Sequence, residues 1–223
     1  MSHPPQQDLY RDDGRHEILP LVPRDATSAL DVGCGAGGFG VTLRSALGPD
    51  ARLVGVEPVA SQAARARMDH GYDEVVDGYV PDALRGRTDT FDLVCYIDVL
   101  EHVVDPWELL RETRAWLAPG GRVLAAIPSI QFAPVVWRLL RGRWDYTDWG
   151  TLDRTHLRFF TRATMIEMFE QGGYRVLRCE GANGVDDAWA EDPNPLKRRA
   201  KRTLLPLLGD ARYLHFVIVA EVA

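Results

Sequence analysis

The chain has 223 residues, 46% hydrophobic and 26% charged. This balance suits one folded domain and excludes wholesale disorder, collagen-like repeats and a disulfide-stapled miniprotein. Acidic residues outnumber Lys and Arg by 32 to 26, and the resulting net charge of −6 argues against a nucleic-acid partner.

Strand-like and helix-like segments alternate along the chain. No apolar run approaches the roughly 20 residues that cross a bilayer. The polar opening MSHPPQQDLYRDDGRHEILP lacks the apolar stretch of a secretory signal, so the cytoplasm is the expected address. Ser28–Val32 (SALDV) is a short apolar run ending in glycines, and Gly38–Leu47 has helical spacing. A second buried-strand candidate covers 52–56, a helix 59–69, a third short run 74–76 and a fourth strand Phe91–Ile97 (FDLVCYI). A helix is expected over 106–117, with Asp105 as N-cap before Pro106 and a stop at Pro119-Gly120-Gly121. A fifth strand is expected at 122–127. Strands separated by helices of this length point to a parallel α/β sheet with covered faces.

After Pro128 the pattern changes, and 129–160 lacks a clean period. It reads as an insertion over the carboxyl edge of the sheet, inside a single domain of residues 1–223. A helix opened by Thr161 and closed at Gly172-Gly173 follows, with closing strands at 174–179 and Tyr213–Val222. Cys34, Cys95 and Cys179 form no CxxC pair, so neither a disulfide framework nor a metal-ligand set is readable, and no metal is expected. Cys34 and Cys95 read as small buried hydrophobes.

The first strand runs into Asp31-Val-Gly33-Cys-Gly35-Ala-Gly37-Gly38, and Glu57 ends the second strand 26 residues after Asp31. Glycines let the backbone turn tightly and let a ligand approach main-chain amides. A carboxylate at Glu57 can accept from both ribose hydroxyls of a nucleoside. The same glycines also satisfy GxGxxG, and Glu57 stands where a dinucleotide-binding acid would. The discriminator is Asp31. An acid two residues before the first glycine sits badly beside a pyrophosphate and well beside a cationic ligand carrying sulfonium and ammonium groups.

In this order and spacing, DVGCGAG, VGVEP, FDLVCYIDVLEHVVDP and LAPGGRVLAAIPS resemble class I S-adenosylmethionine-dependent methyltransferases. They look most like the group with an LEH motif after the fourth strand, which includes the ubiquinone- and menaquinone-pathway enzymes. The stretch LLRGRWDYTDWGTLDRTHLRFFTRATM resembles a bacterial subset associated with polysaccharide or small-metabolite modification. The resemblance implies a single Rossmann-like domain whose seven-stranded sheet has order 3-2-1-4-5-7-6, its last strand antiparallel, with helices on both faces. It implies that Asp31, Gly33, Gly35 and Gly37 hold the methionyl part of the cofactor and that Glu57 holds the ribose. By the same resemblance Asp77 and Gly78 lie by the adenine, and Ile97 and Asp98 line the reactive end. The family often has Gly-Asp where this chain has Asp77-Gly78.

Methyl transfer to a hydroxyl needs the acceptor proton removed, and a histidine suits that work. His102 in Leu100-Glu101-His102 and His156 in Asp153-Arg-Thr-His156 are the candidates, with Asp153 expected to orient the His156 ring. Each also has a structural reading as a loop-fixing hydrogen bonder. His3, His16, His70 and His215 carry no chemical signal. Phe132, Trp137, Trp144, Tyr146, Trp149, Phe159 and Phe160, interleaved with Arg138, Arg141, Arg143, Arg154 and Arg158, suit a sugar, glycan or anionic aromatic ligand. A lid packing its own small core and a weak membrane-surface contact are the competing readings. The basic run 197–202 reads as a solvated helix facing the acidic stretch 186–192. The expected function is O-methylation of a sugar or secondary metabolite with S-adenosyl-L-methionine. The alternatives are an NAD-dependent oxidoreductase and a cofactor-binding pseudoenzyme acting through a partner. RNA methylation conflicts with the charge and lacks the Asn/Asp-Pro-Pro-aromatic motif.

Overall fold

In the computed structural model, residues 14–69, 71–185 and 206–223 are described. His3, His70, the acidic stretch 186–192 and the basic run 197–202 lie outside them. The seven strands are β1 (Ser28–Val32), β2 (Arg52–Glu57), β3 (Glu74–Asp77), β4 (Phe91–Ile97), β5 (Leu117–Pro128), β6 (Tyr174–Gly184) and β7 (Tyr213–Val222). They form one sheet of order 3-2-1-4-5-7-6. β1 pairs parallel with both β2 and β4, whereas β7 runs antiparallel between β5 and β6. The strand order therefore reverses between β1 and β4, and at such a switch point an open α/β sheet leaves a crevice beyond its strand ends.

The central strands are buried on both faces, which explains their continuous apolar runs. Leu30, Val32, Val54, Val94, Tyr96 and Val123 pack with Leu110, Met165 and Phe169 of helices α3 (Pro106–Thr113) and α5 (Arg162–Gln171). Ala29, Leu53, Leu93, Cys95 and Leu124 face the other way. They pack with Phe39 and Leu43 of α1 (Gly38–Leu47) and with Ile18 and Leu21 of the 3-10 turn His16–Leu21. Each large side chain so buried contributes roughly 1.5–3 kcal/mol. Helix α2 (Ala60–Asp69) adds Ala63 and Ala66, which pack with Cys34 and Val75. Cys34 and Cys95 are buried, as their apolar settings suggest.

Three local expectations are corrected. Helix α3 begins as expected, with Pro106 at its first turn and the Asp105 carboxylate accepting the Glu108 N–H at 2.9 Å, but it ends at Thr113. The segment LAPGG belongs to β5: Leu117 pairs with Phe91 and the register slips before Leu93 pairs with Arg122. Gly121 is needed there because a Cβ would stand 2.9 Å from the carbonyl oxygens of Ala118 and Phe91. β6 runs five residues beyond the expected 174–179. The aperiodic stretch after β5 contains a helix, α4 (Ala133–Leu140), that buries no residue and so leaves no core-facing stripe to read.

Candidate active site

The ends of β1, β2 and β4 open on a cleft of about 1140 Å3. Asp31, Gly33, Gly35, Glu57, Gly78, Ile97 and Asp98 all line it. Gly33, Gly35 and Gly37 have φ of 73°, 56° and 101°, the left-handed region where a side chain is strained. A Cβ on Gly33 would strike Val99 at 2.7 Å, whereas one on Gly35 would meet no atom within 4 Å and would enter the cleft. Gly37 caps α1. The Glu57 carboxylate accepts the N–H groups of Gly35 and Val59, each at 2.8 Å, so it is locked against the glycine loop. Burial raises its pKa. Asp31, 1% exposed, accepts the Tyr72 hydroxyl, and burial pushes its pKa up to about 7.

One assignment changes on this side. Asp77 pairs with Arg67 at 2.6 Å, and the cleft wall at this point is Gly78. Asp98, at φ 55°, forms an ion pair with Arg15, and its Oδ1 lies 3.2 Å from His215 Nε2. The Asn183 amide stands 3.3 Å from His215 Nδ1. With Nδ1 accepting from Asn183, the neutral ring carries its proton on Nε2, close to Asp98 Oδ1 but without a hydrogen bond to it. Burial lowers the His215 pKa to about 3, which keeps it in that state.

The opposite wall comes from the segment after β5, which supplies Trp149, Gly150, Asp153, Thr155 and His156. It is tied to the LEH turn where the Glu101 carbonyl accepts the N–H groups of Leu157 and Arg158 at 2.8 and 3.0 Å. His102 and His156 meet edge to face, centroids 4.6 Å apart. His156 Nδ1 is 3.0 Å from the Thr151 carbonyl, which it reaches as a donor, leaving Nε2 as the basic nitrogen. Asp153 was expected to orient this ring. Instead its Oδ1 accepts the Thr155 N–H at 2.8 Å and hydroxyl at 2.7 Å, and it acts on His156 through its charge. His102 Nδ1 faces the Thr155 carbonyl at 3.2 Å. Burial lowers the pKa of both histidines.

Glu101 lies beneath them, 1% exposed, with Oε1 4.0 Å from His156 Nε2. Neither carboxylate oxygen has a hydrogen-bond partner among the described residues, and burial raises its pKa to about 8. One donor atom from each of Glu101, His102 and His156 lies within 4.8 Å of the others, a spacing that a divalent cation could also bridge. Both histidines were legible as candidates, but their meeting with Glu101 was not, because 54 residues separate His102 from His156.

A family model described as a methyltransferase domain matches residues 6–178. The chain belongs to this methyltransferase family. The methyltransferase is 33% identical over 114 residues to a ubiquinone biosynthesis O-methyltransferase of Caulobacter sp. (strain K31), a match covering 47% of this chain and 42% of that protein. It is 28% identical over 189 residues to the protein so named from Methylobacterium nodulans, 79% of this chain and 72% of that one. The chain spans less than half the length of several curated relatives it matches, the Caulobacter protein among them. In fold it resembles a SAM-dependent methyltransferase of Archaeoglobus fulgidus, with a TM-score of 0.67 and 16% identity over 92% of this chain and 90% of that one.

S-adenosylmethionine, the cofactor of this methyltransferase class, fits the residues present. Asp31 and Glu57 are buried carboxylates on one cleft, and neither has a Lys or Arg ion-pair partner among the described residues. A ligand bringing positive charge to the first and hydroxyl donors to the second satisfies both. The cleft exceeds the usual roughly 300–1,000 Å3 of a single small-molecule site, which leaves space for an acceptor. Sequence reasoning missed Arg15, Tyr72, Asn183 and the chemical role of His215. The LEH motif marked Glu101, but nothing in it showed that the side chain is buried against His156.

Proposed function

We propose that the chain transfers a methyl group from S-adenosylmethionine to a hydroxyl oxygen of a small molecule, a sugar or secondary metabolite. The observation that carries this reading is His156. It is a histidine kept neutral by burial, its Nδ1–H spent on the Thr151 carbonyl, on the wall of the cleft opposite the glycine loop. S-adenosylmethionine supplies a methyl group already activated on positive sulfur. The protein must therefore hold the acceptor in line and exclude water, and such positioning is worth roughly 7–11 kcal/mol.

The backbone at Gly33 and Gly35 and the carboxylates of Asp31 and Glu57 bind the cofactor. Trp149 and the turn carrying Asp153 close the acceptor side. His156 Nε2 takes the hydroxyl proton as the oxygen–carbon bond forms and the carbon–sulfur bond breaks. The positive charge lost from sulfur is thus regained on the imidazole, where the charge of Asp153 stabilises it. The O-methyltransferase names of the Caulobacter and Methylobacterium relatives support oxygen as the acceptor atom.

The test is a methyl-transfer assay against a panel of phenols, sugars and amines, with mass spectrometry of the product. O-methyl product that depends on His156 supports the reading, and N-methyl product formed equally by His156→Ala contradicts it. The Glu101–His102–His156 spacing favours a second reading, in which a bound cation ionises the hydroxyl. Loss of turnover in chelator with recovery on adding a divalent ion would select it.

A further inference from the structure

From Trp137 to Tyr146 ten consecutive residues, WRLLRGRWDY, are exposed. Trp137 is 56% exposed, Leu139 50% and Leu140 75%. Arg138, Arg141 and Arg143 are interleaved with them against a single acid, Asp145, so this stretch carries net positive charge on a chain of net charge −6. The Arg141 guanidinium lies 4.3 Å from the centre of the Trp137 ring, and Arg143 pairs with Asp145. The cost of leaving so much apolar surface in water is not recovered inside the described fold, because α4 buries none of its residues.

We propose that α4 and the arginine-bearing turn after it form a docking face for an anionic lipid surface. Three features select that occupant. Trp and Arg together suit the boundary between acyl chains and headgroups, where an indole ring is half apolar and a guanidinium meets phosphate. A second copy of the chain laid on the same patch would bring two net-positive patches together, since a twofold contact uses the same patch on both subunits. A nucleic acid would use the arginines and indole rings but leave Leu139 and Leu140 without a partner. Among the described residues no helix is long and apolar enough to cross a membrane, so the contact is one of surface docking. The same segment carries Trp149 and His156 to the cleft wall, so docking would set the acceptor side of the cleft near the bilayer.

The experiment is co-sedimentation of the full chain with phosphatidylcholine vesicles, with and without phosphatidylglycerol, at low and high salt. Binding to the anionic vesicles that salt reverses is expected. Trp137→Ser with Leu140→Ser should weaken it about tenfold or more, as should Arg138→Gln with Arg141→Gln and Arg143→Gln, the scale of losing several interfacial contacts. Both variants should keep the wild-type circular dichroism spectrum and S-adenosylhomocysteine affinity, since α4 has no buried residue and does not line the cleft. Absence of binding to either vesicle overturns the proposal. So does equal, salt-independent binding to neutral vesicles. Concentration-dependent dimerisation abolished by Trp137→Ser with Leu140→Ser would assign the face to a second copy instead.

Discussion

The two walls of the cleft are built in different ways. The glycine-loop wall is local: Asp31, Gly33, Gly35 and Glu57 fall within 27 consecutive residues, at the ends of two adjacent parallel strands. The opposite wall gathers Glu101 and His102 from the turn after β4 and Trp149, Asp153 and His156 from the segment after β5, and buried titratable groups crowd it. A wall that holds one fixed cofactor needs one fixed geometry, which a strand–loop–helix unit supplies by itself. A wall that recognises one acceptor can be assembled from whatever the fold brings near. Damage to the first should therefore act on cofactor binding, and damage to the second on turnover.

The largest expected effect is on the glycine-loop side. Gly35→Val places a side chain where a Cβ meets only open cleft, at a φ that valine resists, and should leave no calorimetrically measurable S-adenosylhomocysteine binding. Retained binding would show that the loop does not hold the cofactor. On the opposite side, His156→Ala should lower turnover by about 10²–10⁴-fold, the range for losing a general base. The same enzyme should lose activity as pH falls through the depressed pKa of His156, with its acid limb below the ordinary value of about 6.5. If His102→Ala produced the larger loss, the two histidines would exchange roles, His156 then being the one that holds the loop.

Glu57→Ala should weaken cofactor binding by about 1.5–3 kcal/mol, the scale of hydrogen bonds to a charged group. A smaller effect follows from Asp31. Its carboxyl is protonated below about pH 7 in the cofactor-free cleft, and a cationic ligand needs it ionised. Affinity for S-adenosylmethionine should therefore rise with pH toward about 7, by at most about tenfold per unit, and then level off. Asp31→Asn should remove the slope. The same raised pKa values add a contribution to the stability of the cofactor-free protein that is largest in acid. His215 opposes it there, because its lowered pKa costs stability as the ring is forced to charge. The protonated forms of Asp31 and Glu101 favour the folded state, and that contribution is lost as pH rises through about 7 and about 8. A thermal melt series across this range checks the sign, and Glu101→Gln should flatten its upper part.

The same contrast explains what the sequence disclosed. Apolar runs and glycine punctuation mark β1, β2 and β4, because buried parallel strands leave no choice of pattern. The DVGCGAG loop and Glu57 could be read because they are neighbours in sequence. The strand order came through the resemblance, not the periodicity. LAPGG looked like a helix stop because Pro-Gly-Gly ends helices as readily as it bulges a strand, and only the contact of Gly121 with two carbonyl oxygens separates the cases. Asp153 looked like the partner of His156 from a spacing of three, but the turn directs its oxygen to Thr155. His215, on an ordinary closing strand, gained a cleft position solely because β7 inserts beside β5.

The most direct test of this division is calorimetric titration of S-adenosylhomocysteine into the wild-type chain, Glu57→Ala and His156→Ala under one set of conditions. The account predicts that Glu57→Ala binds weaker by about 1.5–3 kcal/mol, while His156→Ala binds as the wild type does. If His156→Ala loosened the cofactor as much as Glu57→Ala, the two walls would form one binding unit, and the separation of cofactor holding from acceptor chemistry would be wrong.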